Sequence, residues 1–307
     1  MTAPWFKQPK YMPDWLYTYF GEVIKPLITA KEDRRLSMPP TFAARDTVAQ
    51  SSPSFWIHPP EPAILLSRRQ FGPTALYRPR IFLWLPHFLV EKLYCPKCKT
   101  NVLEKNGALP PRRIFDMQDC FYLIAWGYYC RKGCQLHFTG WGHAILESLP
   151  PYLRLAFPAI LSYRSGLSHN VMAQLRVGNQ HKMGPSGIHS LLTEMHTLHF
   201  NRLHLQYLEA IFEVISQREA NGKDSQETLH AYISTKFPAF GNFGDPQCYA
   251  GFVPSKRYLA EMMNKAIEQD ENDANQHTAC LVPDQIAIDD SHKASCVESF
   301  TTYLING

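Results

Sequence analysis

Residues 95–98 read Cys-Pro-Lys-Cys, and residues 130–134 read Cys-Arg-Lys-Gly-Cys. A short gap of this kind lets two sulfurs face one ion while nearby backbone N–H groups hydrogen-bond to the thiolates. Four thiolates at about 2.3 Å complete the tetrahedral sphere of Zn2+. The first spacing is the sharper signal. The second has one more intervening residue, and Gly133 is expected to ease that wider turn through glycine's access to left-handed backbone. Two alternatives stay open: four buried, unliganded thiols, and thiol redox chemistry. His137 is a further candidate ligand that would replace one cysteine. Cys120 stands among Phe121, Tyr122 and Leu123 and reads as a core residue rather than a ligand. With four protein ligands no coordination position is open, so the zinc is expected to be structural. Lys97, Lys99, Arg131 and Lys132 would partly offset its net negative charge.

Outward from the two pairs, the residues between them favour strands. RRIFDMQDCFYLIAWGYYC (112–130) is dense in aromatic residues, and QLHFTGW (135–141) continues the pattern. On the N-terminal side, IFLWLPHFLV (81–90) is an apolar run that leads into Cys95. A β-rich zinc ribbon is therefore expected over residues 76–145.

Residues 146–218 read as helical. LESLPPYLRLAFPAIL (146–161) suggests two short helices broken by proline. Ser168 is placed to cap a helix through about Gly178, and Ser186 to cap another through about Met195. The turn between them, HKMGPS, gives the pair a helix-turn-helix character. A third helix is expected from about Asn201 to Gln217, with Leu208, Ile211, Phe212 and Ile215 as its core stripe. The fold class is thus α+β, a small β-rich unit followed by a mostly helical one.

The flanks are less regular. Residues 1–75 are rich in proline and serine and are expected to be a loosely ordered arm, apart from one helix over Asp14–Ile24. Residues 219–283 read as a helical and loop linker, with Ser255 capping a helix through Gln269 and DENDAN (270–275) as a polar loop. A short strand candidate, QIAIDD, follows within residues 284–307.

Charge is distributed unevenly. From Arg78 to Lys132 the cations are Arg78, Arg80, Lys92, Lys97, Lys99, Lys105, Arg112, Arg113, Arg131 and Lys132, against Glu91, Glu104, Asp116 and Asp119. From Glu261 to Asp290 the acids dominate and Lys265 is the one cation. A basic middle and an acidic tail point to a polyanionic partner for the middle, although solvated surface charge has the same signature. From Arg154 to Arg202 the sole acid is Glu194. In a helix-turn-helix reading, Ser186 and His189 face a DNA groove, together with Ser190 and Thr193. Arg164, Arg176, Lys182 and Arg202 contact phosphates. The competing reading is a zinc-stabilised protein-interaction domain that uses Ile81–Val90 as its partner surface. No apolar run reaches the roughly 20 residues of a membrane span, and the first residues lack a secretory h-region. An intracellular, nuclear location is expected.

Several phrases, in order, resemble a domain of unknown function common in fungal proteins related to mobile elements. They are RPRIFLWLPH, CPKC, RRIFD, LPPYLRLAFPAIL, SYRSGLS, MGPSGIHSLLTEMH and LHLQY. FVPSKRYL and IAIDDSHK are similar to the join with a transposase-like RNase H core. The resemblance implies a DNA-recognition module ahead of an integrase-type nuclease. It also implies that Asp289 is the first metal-binding acid of that core, although Asp290 stands where the family has histidine. The remaining acids of a two-metal centre are not in these residues. This chain is therefore expected to be a DNA-binding module without catalytic activity of its own.

Overall fold

The computed structural model describes residues 8, 12–24, 54–220, 233 and 235–279. Asp289 and the strand candidate QIAIDD lie outside the described residues, as does most of the segment between 221 and 234. The chain divides into two compact units, Met1–Met263 and Asn264–Gly307. The fold is α+β, and among the described residues it has eight strands in one sheet and eight α-helices. No helix among these residues is long and apolar enough to cross a membrane.

One strand organises the first unit. Residues Cys120–Tyr129 form the longest strand, β5, and Phe121–Tyr128 are buried without alternation. A run that is apolar on both faces requires cover on both sides, which is the signature of a central strand. The first half of β5 pairs in parallel with β2 (Ile81–Trp84) and antiparallel with β4 (Arg112–Phe115). Its second half pairs antiparallel with β3 (Glu104–Ala108) and β6 (His137–Thr139). β5 therefore belongs to two sub-sheets and ends directly at Cys130. At the margins, β1 (Trp56–Ile57) pairs with β2, and β8 (Gly166–Ser168) joins β4 to β7 (Ala159–Leu161).

The main core forms against the β2–β5 half. Helix α1 (Asp14–Ile24) has the expected bounds and buries Leu16, Tyr19, Phe20 and Ile24 there. Phe20 meets Tyr122 with ring centroids 4.9 Å apart. The indole of Trp84 donates to the Gly140 carbonyl at 3.0 Å, tying β2 to the end of β6. Residues 54–76, expected to be loosely ordered, instead form β1, α2 (Pro62–Ser67) and α3 (Pro73–Leu76). Aromatic packing outweighs the local proline content here. Trp56 makes edge contacts with both Phe82 and Phe121. The apolar segment from Ile81 to Leu85 is buried in this core. A partner surface on Ile81–Val90 therefore loses its first half.

The short helices α4 (His143–Ser148) and α5 (Pro151–Leu155) occur as expected, but Ala159–Leu161 pairs as a strand. Helix α6 (His169–Gln180) begins at the predicted cap, where the Ser168 hydroxyl accepts from the Val171 N–H at 3.2 Å. Helix α7 (Gly184–Ala220) is one continuous helix of 37 residues, where the sequence suggested two. No glycine or proline interrupts it after Gly187, so nothing ends it near Met195. Its buried line is Ile188, Leu192, Phe200, Leu203, Tyr207 and Ile211. Leu208 and Phe212, expected in the core, are exposed. A second core gathers Phe200, Leu203, Tyr207 and Ile211 with Leu66, Tyr77, Phe237 and Phe240. The last described helix, α8 (Lys256–Ala279), starts with the Tyr258 N–H on Ser255 Oγ at 3.2 Å, and it includes the DENDAN stretch read as a loop. With no helix breaker in those residues, the polar character alone did not end it.

Candidate metal centre

The two cysteine pairs occupy matching backbone knuckles. In the first, the Cys95 N–H donates to the Asn101 carbonyl, and the Lys99 N–H returns to the Cys95 carbonyl, both at 2.8 Å. In the second, the Cys130 N–H donates to Leu136 and the Gln135 N–H to Cys130, both at 3.0 Å. The residue after the second cysteine is left-handed in each, with φ of 60° at Lys99 and 54° at Gln135. The extra residue of the second knuckle widens the closing bond by one position without changing the design. Gly133 is not the left-handed residue, contrary to the sequence expectation. Its role is steric. A Cβ there would lie 2.7 Å from Cys98 Sγ and 2.5 Å from Asn101 Nδ2. Only a residue without a side chain fits beside the sulfurs.

These knuckles bring all four sulfurs within 4.8 Å of one another. Cys95 and Cys134 sulfurs are 3.5 Å apart, and Cys98 and Cys130 sulfurs 3.9 Å. A tetrahedron with metal–sulfur bonds of about 2.3 Å has edges of about 3.8 Å, so the spacing suits one tetrahedral ion. A disulfide would need about 2.05 Å, and the cysteines are free. The cluster can therefore hold a metal ion. Cys95 is buried, which disfavours its thiolate, yet N–H groups of Cys98 and Lys97 outweigh this and bring its thiol down to about 7. Burial pushes Cys134 the other way, to about 12. Burial raises Cys130 too, so the Cys95 thiolate forms readily while those of Cys130 and Cys134 call for a cation. Exposed Lys97, Lys99, Arg131 and Lys132 ring the site, and Arg131 lies 3.7 Å from Glu104.

The two alternative ligands are placed elsewhere. His137 stacks on Tyr129 with centroids 4.5 Å apart, and its Nδ1 lies 3.1 Å from the Asn106 amide. Cys120 begins β5 and Cys130 follows its last residue, so about 30 Å of extended chain separates them. Its thiol faces the Phe252 carbonyl at 3.8 Å, and burial pushes it up to about 12.

Three residues, His181–Met183, join α6 to α7. The two helices approach closely where Gly178 faces Ile188: a Cβ on Gly178 would lie 3.0 Å from Ile188 Cδ1. Arg176, Lys182, Ser186 and Arg202 are exposed on this pair, and Arg164 is exposed on the β7–β8 turn. Arg164 stacks over the Tyr163 ring at 5.6 Å. His189 is half-buried, and its Nδ1 donates to the Pro254 carbonyl at 2.9 Å. Ser190 and Thr193 turn their hydroxyls back to the carbonyls of Ser186 and His189.

Sequence reading missed a buried polar hub. Asp116, at the β4–β5 turn, accepts from Arg80 at 2.8 Å and from Ser168 at 2.7 Å. His196 of α7 donates to the Asp116 carbonyl at 2.9 Å. One turn thus fastens β2, the N-terminus of α6 and the middle of α7. Burial opposes the charge of Asp116, but its hydrogen bonds from Arg80 and Ser168 hold the carboxyl below the usual range. Burial also lowers His196 and keeps it neutral. The signal was the pairing of a strand-end acid with a capping serine, which no local pattern connects.

No curated protein and no solved structure shows a significant match to the chain. A protein family described as a domain of unknown function, DUF6729, matches residues 36–238. That match spans both knuckles, the hub, α6 and all of α7, and it covers more than half of the sequence, so the chain belongs to the DUF6729 family.

Proposed function

We propose that this chain is a DNA-binding module stiffened by one structural zinc ion on Cys95, Cys98, Cys130 and Cys134. The observation that carries the reading is the exposure of Arg164, Arg176, Lys182 and Arg202 in a segment whose sole acid is Glu194. Such a surface suits phosphates, which repay each cation with released counterions. Ser186, exposed on the first turn of α7, would meet a groove, whereas His189 is held on the Pro254 carbonyl. The soft, all-sulfur donor set favours zinc over a hard cation. Zinc would close the two knuckles into a ribbon and supply no chemistry, since four protein ligands leave it no open position. The transposase-like resemblance supports the same partner and a nuclear site of action.

The test is binding of the zinc-loaded protein to duplex DNA across a salt series. A linear fall on a log–log plot is expected, and Lys182→Gln or Arg176→Gln should each lower the slope by about one. Absence of binding at low salt would overturn the reading and send the search to protein partners.

A further inference from the structure

The longest helix carries a second apolar line that the described residues leave largely uncovered. On α7, Leu198, Leu205, Leu208 and Phe212 are 53, 58, 49 and 66% exposed. Leu198, Leu205 and Phe212 recur every seventh residue. Leu208 and the partly buried Ile215 follow the last two of these by three positions. That is the a/d pattern of a coiled-coil seam, repeated along one edge of the helix. Single exposed leucines need no explanation, but a periodic row of them marks an interaction surface. Leu205, Leu208 and Phe212 stand apart from the buried line through Leu203, Tyr207 and Ile211, while Ile215 already packs in part against that core.

We propose that this seam pairs with the same seam of a second copy of the chain, antiparallel, about a two-fold axis between residues 206 and 207. Self-pairing follows from the heptad spacing, which only a helix with a matching row can fill. The antiparallel sense follows from charge. In that arrangement Leu205 packs on Leu208 of the second copy, and Leu198 on Ile215 of the second copy. Arg202, exposed, then lies beside the exposed Glu209 of the second copy, and the symmetry makes this contact twice. A parallel pair would instead put Arg202 beside Thr197 and Glu209 beside His204, a poorer match. Asn201 takes the remaining seam position and meets Phe212 of the second copy, a polar–aromatic layer that lowers the stability of the pair. The proposal shares only Arg202 with the DNA reading, and its test reads self-association in the absence of DNA, so the two fail separately.

Sedimentation velocity of the full, metal-loaded chain over about a hundredfold concentration range gives the test. A dimer is expected at the upper end. Phe212→Glu should raise its dissociation constant by at least about 100-fold. Arg202→Glu should weaken it by roughly tenfold, and adding Glu209→Arg should restore it. Circular dichroism and metal content of each variant should match the parent, since all three positions are exposed. A chain that stays monomeric throughout would overturn the proposal. So would a dimer indifferent to Phe212→Glu. Failure of the double reversal to restore pairing would overturn the antiparallel arrangement.

Discussion

The knuckle lobe and the α6–α7 pair stand next to each other in sequence but are held together in opposite ways. In the lobe, β3 exposes Glu104 to Gly107, and β6 exposes His137 and Thr139. Beyond β5 its buried apolar residues are few, chiefly Leu93 and Leu103. Its order depends on four sulfurs meeting at one point. The helix pair has no such point. It rests on many apolar contacts along Ile188, Leu192 and Leu203, with Asp116 as one polar fastening. The difference teaches where each region is fragile. One fails all at once when a single ligand is lost, and the other loses stability by increments.

The largest expected effect lies in the lobe. If the proposed zinc holds the lobe, Cys130→Ser or treatment with a chelator should melt it. Structural zinc is worth about 10–16 kcal/mol in small zinc-binding peptides, more than this lobe can replace by burial. Hydrogen exchange should show protection lost at Lys105, Tyr128 and Gln135 and kept at Leu175 and Leu192. Equal loss in both regions would break the contrast.

The hub comes next. Asp116→Ala leaves Ser168 without this acceptor and Arg80 with Asp119 alone, and should cost about 1–3 kcal/mol, read from urea unfolding. Its pH signature has a defined sign. The folded carboxyl lies below its unfolded value, so its contribution is present above about pH 4 and disappears as pH falls through the folded value. His196 acts at higher pH. Its folded pKa is lowered, so the unfolded chain binds the extra proton. Stability should therefore fall as pH drops below about 6.5, by up to about 1.4 kcal/mol per pH unit. His87 and His199, lowered by burial as well, act on the same limb, so His196→Gln should reduce its slope without abolishing it.

The smallest effects sharpen the picture of incremental packing. Ile188→Ala should cost about 2–4 kcal/mol. Gly178→Ala alone brings a Cβ to 3.0 Å of Ile188, which offsets the usual helical gain. In the Ile188→Ala background that obstruction disappears, and Gly178→Ala should stabilise by about 0.5–1 kcal/mol. A thermal-unfolding cycle over the four proteins measures this coupling.

Much of the molecule was legible from short stretches of chain. The cysteine spacings located the thiol cluster, Ser168 located the start of α6, and the aromatic stretch 112–130 indicated strands, though not which one is central. Each depends on interactions within a few residues, so sequence alone determined it. The helix over Asp14–Ile24 was found for the same reason, through its 3.6-residue apolar period. Tertiary structure decided the rest. It placed β1 against β2, gave Gly133 a steric rather than a conformational role, and drew Asp116, Ser168 and His196 together across the chain. It also settled which apolar line of α7 is covered. Leu208 and Ile211 are equally hydrophobic and three residues apart, and nothing local distinguishes them. Ile211 is buried because Phe237, Phe240 and Leu66 reach that side of the helix, and Leu208 is exposed because burial depends on which distant segments arrive.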